Sequence, residues 1–155
     1  MPNQSKAIVL HSIKYGETSL IVNCFLYDIG VKSFIIKGVL NSKNKKFSKS
    51  YFLPLSIIDI DYFAKNNKDI GYIVEAKPAQ IFTSLHVDIF KSSVIIFISE
   101  LLNSVFKENP GSNKKLFEYL EYALIWYDKS TKEANFHLKV LADLNYPEYI
   151  LNESN

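Results

Sequence analysis

The hydrophobic pattern of this chain changes period once, at Lys77-Pro78, and that change limits the fold to strands first and helices afterwards. Before it, Phe52 to Phe63 alternates most regularly: Ile58, Ile60 and Tyr62 share one face, Asp59 and Asp61 the other. Lys6 to Ile13 and Ser19 to Tyr27 are apolar-rich runs parted by Tyr15-Gly16-Glu17. Asp28-Ile29-Gly30 reads as a tight hairpin connection with Gly30 at positive φ, leading into Val31 to Lys37. Ile70 to Ala76, after the polar turn Asn66-Asn67-Lys68-Asp69, makes a fifth strand. Five short strands joined by turns point to a small barrel, which leaves no exposed sheet edge.

Beyond Pro78 the spacing becomes helical. From about Ser84 to Phe106 it is carried by Ile89, Phe90, Val94, Phe97, Ile98, Leu101, Leu102 and Val105. Asn109-Pro110-Gly111 stops that helix, and Ser112 is the expected N-cap of the next, whose apolar face is Leu116, Leu120, Ala123, Leu124 and Tyr127. A third helix is expected from Thr131 or Lys132, carrying Phe136, Val140, Leu141 and Leu144. The first helix is apolar around so much of its circumference that it must pack on the barrel, on further helices or on a partner. The fold class is therefore α+β, with a barrel over residues 1–78 and a small helical domain over 79–155. At 155 residues such a chain buries enough surface to need no disulfide or metal.

Composition then removes function classes. The single cysteine, Cys24, excludes an internal disulfide and a multi-cysteine zinc site. It lies in the apolar run Ile21 to Leu26, as a buried thiol would. His11, His86 and His137 are far apart in apolar or helical contexts. Asp59 and Asp61 read as the solvent face of a strand, and Glu118 and Glu121 as the solvent face of a helix. The five glycines are dispersed and form no phosphate loop. No catalytic or metal site is expected, and no cofactor. Ser92, Ser93, Ser99 and Glu100 interrupt the most apolar segment, Val94 to Ile98, short of a membrane span, and the opening residues are too briefly apolar for a secretory signal, so a cytoplasmic location is expected.

Charge is where the pattern becomes informative. Residues 1–50 carry eight lysines against Glu17 and Asp28, a net of +6, whereas the remainder is net −4. All 18 basic residues are lysine. Lysine supplies a mobile point charge and cannot fork onto guanine, so phosphate contact is favoured over base reading. Lys37 to Tyr51, between two strands, holds Lys37, Lys43, Lys45, Lys46 and Lys49 and no acid, with Lys32 on the preceding strand. Phe47 and Tyr51 offer rings that either stack on unpaired bases or pack at the barrel rim. The same loop is also compatible with a purely solvated surface or an anionic lipid surface. Aromatic residues crowd the helices, and the alternative reading is an adaptor that docks a partner peptide there.

The order of motifs resembles the bacterial RecO DNA-repair family. It is carried by Lys6-Ala7-Ile8-Val9-Leu10, Tyr15-Gly16-Glu17-Thr18-Ser19, Ile21-Val22, Gly30-Val31-Lys32, and Lys37-Gly38 before the basic Ser42-Lys43-Asn44-Lys45. Leu53-Pro54-Leu55 and Ile73-Val74-Glu75-Ala76 follow in the same order, with fainter agreement at Asn135 to Lys139. The resemblance implies an N-terminal OB-fold followed by a helical domain. It also implies a recombination mediator that binds single- and double-stranded DNA, anneals strands and helps a recombinase load. Its partners would be RecR and the acidic C-terminal tail of single-strand-binding protein. DNA contact carries over onto Lys37, Lys43 and Lys45; charge alone adds Lys32, Lys46 and Lys49. Many members also hold a four-cysteine zinc module, which one cysteine cannot supply.

Overall fold

A computed structural model describes residues 1–66, 69–130, 139 and 143. Five strands, β1 (Asn3–Tyr15), β2 (Ser19–Leu26), β3 (Gly30–Ile36), β4 (Ile57–Phe63) and β5 (Gly71–Pro78), close a barrel in the order β1-β2-β3-β5-β4. Two helices follow, α1 (Ile89–Glu108) and α2 (Lys114–Lys129). This is the small barrel and helical extension that the period change implied, and the OB-fold with a helical domain that the resemblance implied. All contacts between strands are antiparallel except β3 to β5, where Phe34 faces Gly71 and Ile35 faces Tyr72.

Alternation explains what fills the barrel. Ile58, Ile60 and Tyr62 are buried while Asp59 and Asp61 are not, as the pattern requires. With Val9, Val22, Cys24, Phe34, Ile36 and Ile73 they make the interior core. Burial pushes the Cys24 thiol up to about 12, so it stays protonated at neutral pH.

Strand β1 has no solvent face in its middle. Ala7, Ile8, Val9 and Leu10 are all fully buried, Ala7 and Val9 inside the barrel and Ile8 and Leu10 beneath the helices. The second core joins Ile8, Leu10, Phe25 and Ile57 of the barrel to Ile95, Ile98 and Phe106 of α1 and to Phe117, Leu120 and Leu124 of α2. Phe25 sits at its centre, 4.5 Å from the Phe106 ring and 5.6 Å from that of Phe117. Polar ties fringe it: Lys6 to Glu121 at 2.9 Å, His11 Nδ1 to Glu100 at 2.8 Å, and the Tyr27 hydroxyl donating to Glu118 at 2.9 Å.

Two further contacts fix the helices, the first against the barrel and the second within the helical part. The α1–α2 loop reaches back to the β2–β3 turn, where Val31 N donates to the Pro110 carbonyl at 2.8 Å. Gly30 lies directly under that loop with φ +87°. At the other end of the helices, the Asp128 carboxylate accepts the N–H groups of Thr83, Ser84 and Leu85 at 3.1, 2.8 and 3.1 Å. Beside it the buried Lys91 ammonium donates to Ser84 Oγ at 2.9 Å and to the Ser130 carbonyl at 2.7 Å.

Some expected boundaries move. Phe52 does not begin β4; it ends a short 3-10 turn, Lys49–Phe52, and β4 starts at Ile57. The helix expected from Ser84 begins at Ile89 with Asp88 as N-cap, and Asn113 rather than Ser112 caps α2, accepting from Leu116 N. In α1 the buried face is Lys91, Ile95, Ile98, Ser99, Leu102, Asn103 and Phe106, while Ile89, Phe90, Ile96, Phe97, Leu101 and Val105 are exposed. By length and composition alone α1 does match a bilayer-crossing helix, contrary to the residue-by-residue reading. In this fold one side of it lies on β1 and α2. The third expected helix falls outside the described residues except for Lys139 and Asp143, the latter accepting from the Tyr119 hydroxyl at 2.6 Å.

Candidate nucleic-acid interface

The connection from β3 to β4 carries the lysines, and its backbone is ordered by two asparagines. Asn41 Oδ1 accepts Lys43 N at 3.0 Å. Asn44 Oδ1 accepts Lys46 N at 2.8 Å, and its amide donates to the Phe47 carbonyl at 2.6 Å. These short side chains replace the backbone partners that a loop lacks. The loop is pinned at both ends: Val39 and Phe52 are buried in the barrel core, and Leu40 N donates to the Thr18 carbonyl at 2.8 Å. A loop with tethered ends and fixed turns presents its side chains in a defined arrangement.

Lys37, Lys43, Lys45, Lys46 and Lys49 are all exposed on it. Among the described residues none of these five ammonium groups reaches a carboxylate. Lys46 rests over the Phe47 ring, 5.6 Å from its centroid, and Lys37 over the Tyr72 ring at 5.1 Å. Cations that are neither paired nor desolvated remain available to an external anion.

Lys32 is placed differently, and it leaves the set. It alternates with Phe34 and Ile36 on the inward side of β3 and is 3% exposed. Its ammonium caps the barrel end by donating to the Asn66 and Asp69 carbonyls at 2.9 and 2.8 Å. Burial lowers its pKa, with Asp69 opposing. The expected phosphate contact fails for a geometric reason: strand parity sends the side chain inward. Phe47 and Tyr51 are half-buried, each set edge-on to Phe52 at 6.3 and 6.4 Å, so they roof the barrel core and hold the loop to it.

Two exposed aromatics that sequence reasoning passed over lie nearby. Phe63 ends β4 and Tyr72 is the second residue of β5, 47% and 48% exposed. Parity was the available signal, because Phe63 follows Asp59 and Asp61 on the outward side of β4.

Comparison with known proteins gives the chain's relatives. Residues 1–82 match the family described as Recombination protein O N terminal. The chain is 41% identical over 143 residues to the DNA repair protein RecO of Flavobacterium psychrophilum, covering 92% of this chain and 60% of that protein. Identity to the DNA repair protein RecO of Flavobacterium johnsoniae is 39% over 144 residues, with 93% and 60% covered. To that of Bacteroides fragilis it is 35% over 146 residues, with 94% and 60% covered. The chain thus spans about three fifths of the length of these relatives.

Proposed function

The chain belongs to the RecO family of DNA repair proteins, and from that premise we propose that it binds single- and double-stranded DNA without sequence preference through the β3–β4 lysine loop. The observation that carries this reading is the set of five exposed lysines at 37, 43, 45, 46 and 49, without a carboxylate partner among the described residues, on a loop ordered by Asn41 and Asn44. Point charges on flexible stems suit phosphates, whose spacing is independent of sequence. Annealing of complementary strands and assistance to a recombinase on DNA coated by single-strand-binding protein belong to the same reading. So do RecR and the tail of single-strand-binding protein as partners, and a role without catalysis. Held along the barrel by their phosphates, two strands leave their bases free to pair.

The test is anisotropy titration of a labelled mixed-sequence single strand over a salt series. Each phosphate contact contributes a slope of roughly −0.7 in log affinity on log salt, so four to six contacts give about −3 to −4. Lys43→Ala, Lys45→Ala and Lys46→Ala together should flatten that slope by about 2 and weaken binding correspondingly. Binding indifferent to the three lysines would sink the assignment to this loop. A second reading, docking of a partner peptide on the helices, is favoured by the exposed Phe90, Phe97, Leu101 and Val105 on α1. It predicts negligible DNA affinity at any salt.

A further inference from the structure

We propose that Phe63 and Tyr72 form a platform on which the bases of single-stranded DNA stack, a second contact surface joined to the lysine loop through Lys37; this rests on the nucleic-acid reading above. The two residues are register partners on adjacent antiparallel strands, so their side chains stand next to each other on the outer face of the barrel. Nearly half of each is exposed, whereas the register partners beside them, Tyr62 and Ile73, are buried in the core. An aromatic pair left open in this way offers flat faces to a flat ligand.

What surrounds the pair says which ligand. Lys37 is the first lysine of the basic loop, and its ammonium already rests over the Tyr72 ring. A phosphate can draw it off without breaking a salt bridge. Tyr72 is also the register partner of Ile35 on β3, which faces Ile21 on β2, which faces Ile13 on β1. An apolar row therefore leads from the platform across the barrel. In the opposite direction, the outer face of β4 and β5 sets Asp61 beside Glu75, two carboxylates that repel phosphate, before Asp59 meets Lys77 further along. Asp69, near the platform, has its carboxylate engaged by the Asn66 amide at 2.9 Å. Charge thus directs an incoming strand from the lysine loop over Tyr72 and Phe63 and away from the acidic side. Rings beside a cation are how bases are held without reading their edges.

Paired bases cannot reach such a platform, and that separates it from the lysine loop. The experiment compares a fluorescein-labelled oligothymidine with a labelled duplex, using the full chain and the variant Phe63→Leu/Tyr72→Leu. Leucine keeps the apolar cover and removes the rings. Stacking predicts a loss of about 5- to 150-fold per base for the single strand, with duplex affinity and salt slope unchanged. The exchange Phe63→Tyr/Tyr72→Phe keeps the rings and should keep full affinity, which controls for folding. Equal loss on both probes, or loss on neither, overturns the platform alone. A parent chain that binds neither probe overturns the DNA reading itself.

Discussion

Replacing Gly30 with alanine should cost the protein about 3 kcal/mol or more, read as a fall in the urea midpoint at unchanged slope. A Cβ at this position would lie 2.2 Å from the Pro110 carbonyl oxygen and 2.4 Å from the Gly111 carbonyl carbon. Both are backbone atoms and cannot swing aside. The loop between α1 and α2 would have to lift, stretching the 2.8 Å bond from Val31 N to Pro110 O. To this the φ of +87° adds its own penalty for any residue with a side chain. Gly16 is the internal control. Its φ is +64°, yet nothing lies within 4 Å of its would-be Cβ. Gly16→Ala should therefore show the conformational cost alone, about 1 kcal/mol. If the two variants melt alike, the helical loop is not seated on the β2–β3 turn.

Asp128→Ala should be about as damaging, with a loss of about 3 kcal/mol. The mutation removes one acceptor shared by three backbone donors, and strands above all those of the half-buried Ser84 and the buried Leu85, Thr83 being exposed. It also releases the segment that leads from β5 into α1. Asp128→Asn should be milder, because an amide oxygen can still accept. Acid gives an independent check. Burial pushes the Asp128 carboxyl up, but the N–H groups of Ser84, Thr83 and Leu85 and the Ser84 hydroxyl outweigh it and hold it below the ordinary carboxylate value. A carboxyl lowered by folding stabilises the native state fully above its unfolded value of about 3.9 and loses that contribution as pH falls through the lower folded value. The gap between the parent chain and Asp128→Ala should therefore be widest near neutrality and narrow below about pH 4. A gap independent of pH would mean that the carboxylate is not held as described.

How far the fold could be read depended on how many faces each element buries. Strand β4 buries one, so Ile58, Ile60 and Tyr62 announced it by alternation. The start of that strand was misread at Phe52 because Phe52 and Leu55 are apolar, yet they plug the core from a turn and Pro54 has no N–H to give a ladder. Helix α1 was legible as a helix but not in orientation. It is apolar on several sides, and the side that packs includes Ser99, bonded to its own helix at Ile96, and Lys91 and Asn103, whose partners come from elsewhere in the fold. Ser112 and Asn113 are both competent caps one residue apart, and nothing local chooses between them. The lysine loop was legible as exposed charge, since a segment with no periodicity and no acid has nothing to bury. Lys32 shows the limit of reading charge alone: its parity with Phe34 and Ile36 outranked its ammonium.

Strand β1 has a consequence for how the protein comes apart. Its central residues serve both cores, so neither layer owns it. Stripping away the helices would wet Ile8, Leu10, Phe25 and Ile57, and opening the barrel would leave α1 and α2 with nothing to lie on. The family match ends at residue 82, but the folding unit does not. A single cooperative thermal transition is therefore expected, with no separate melting of the barrel, and two transitions in calorimetry would contradict it.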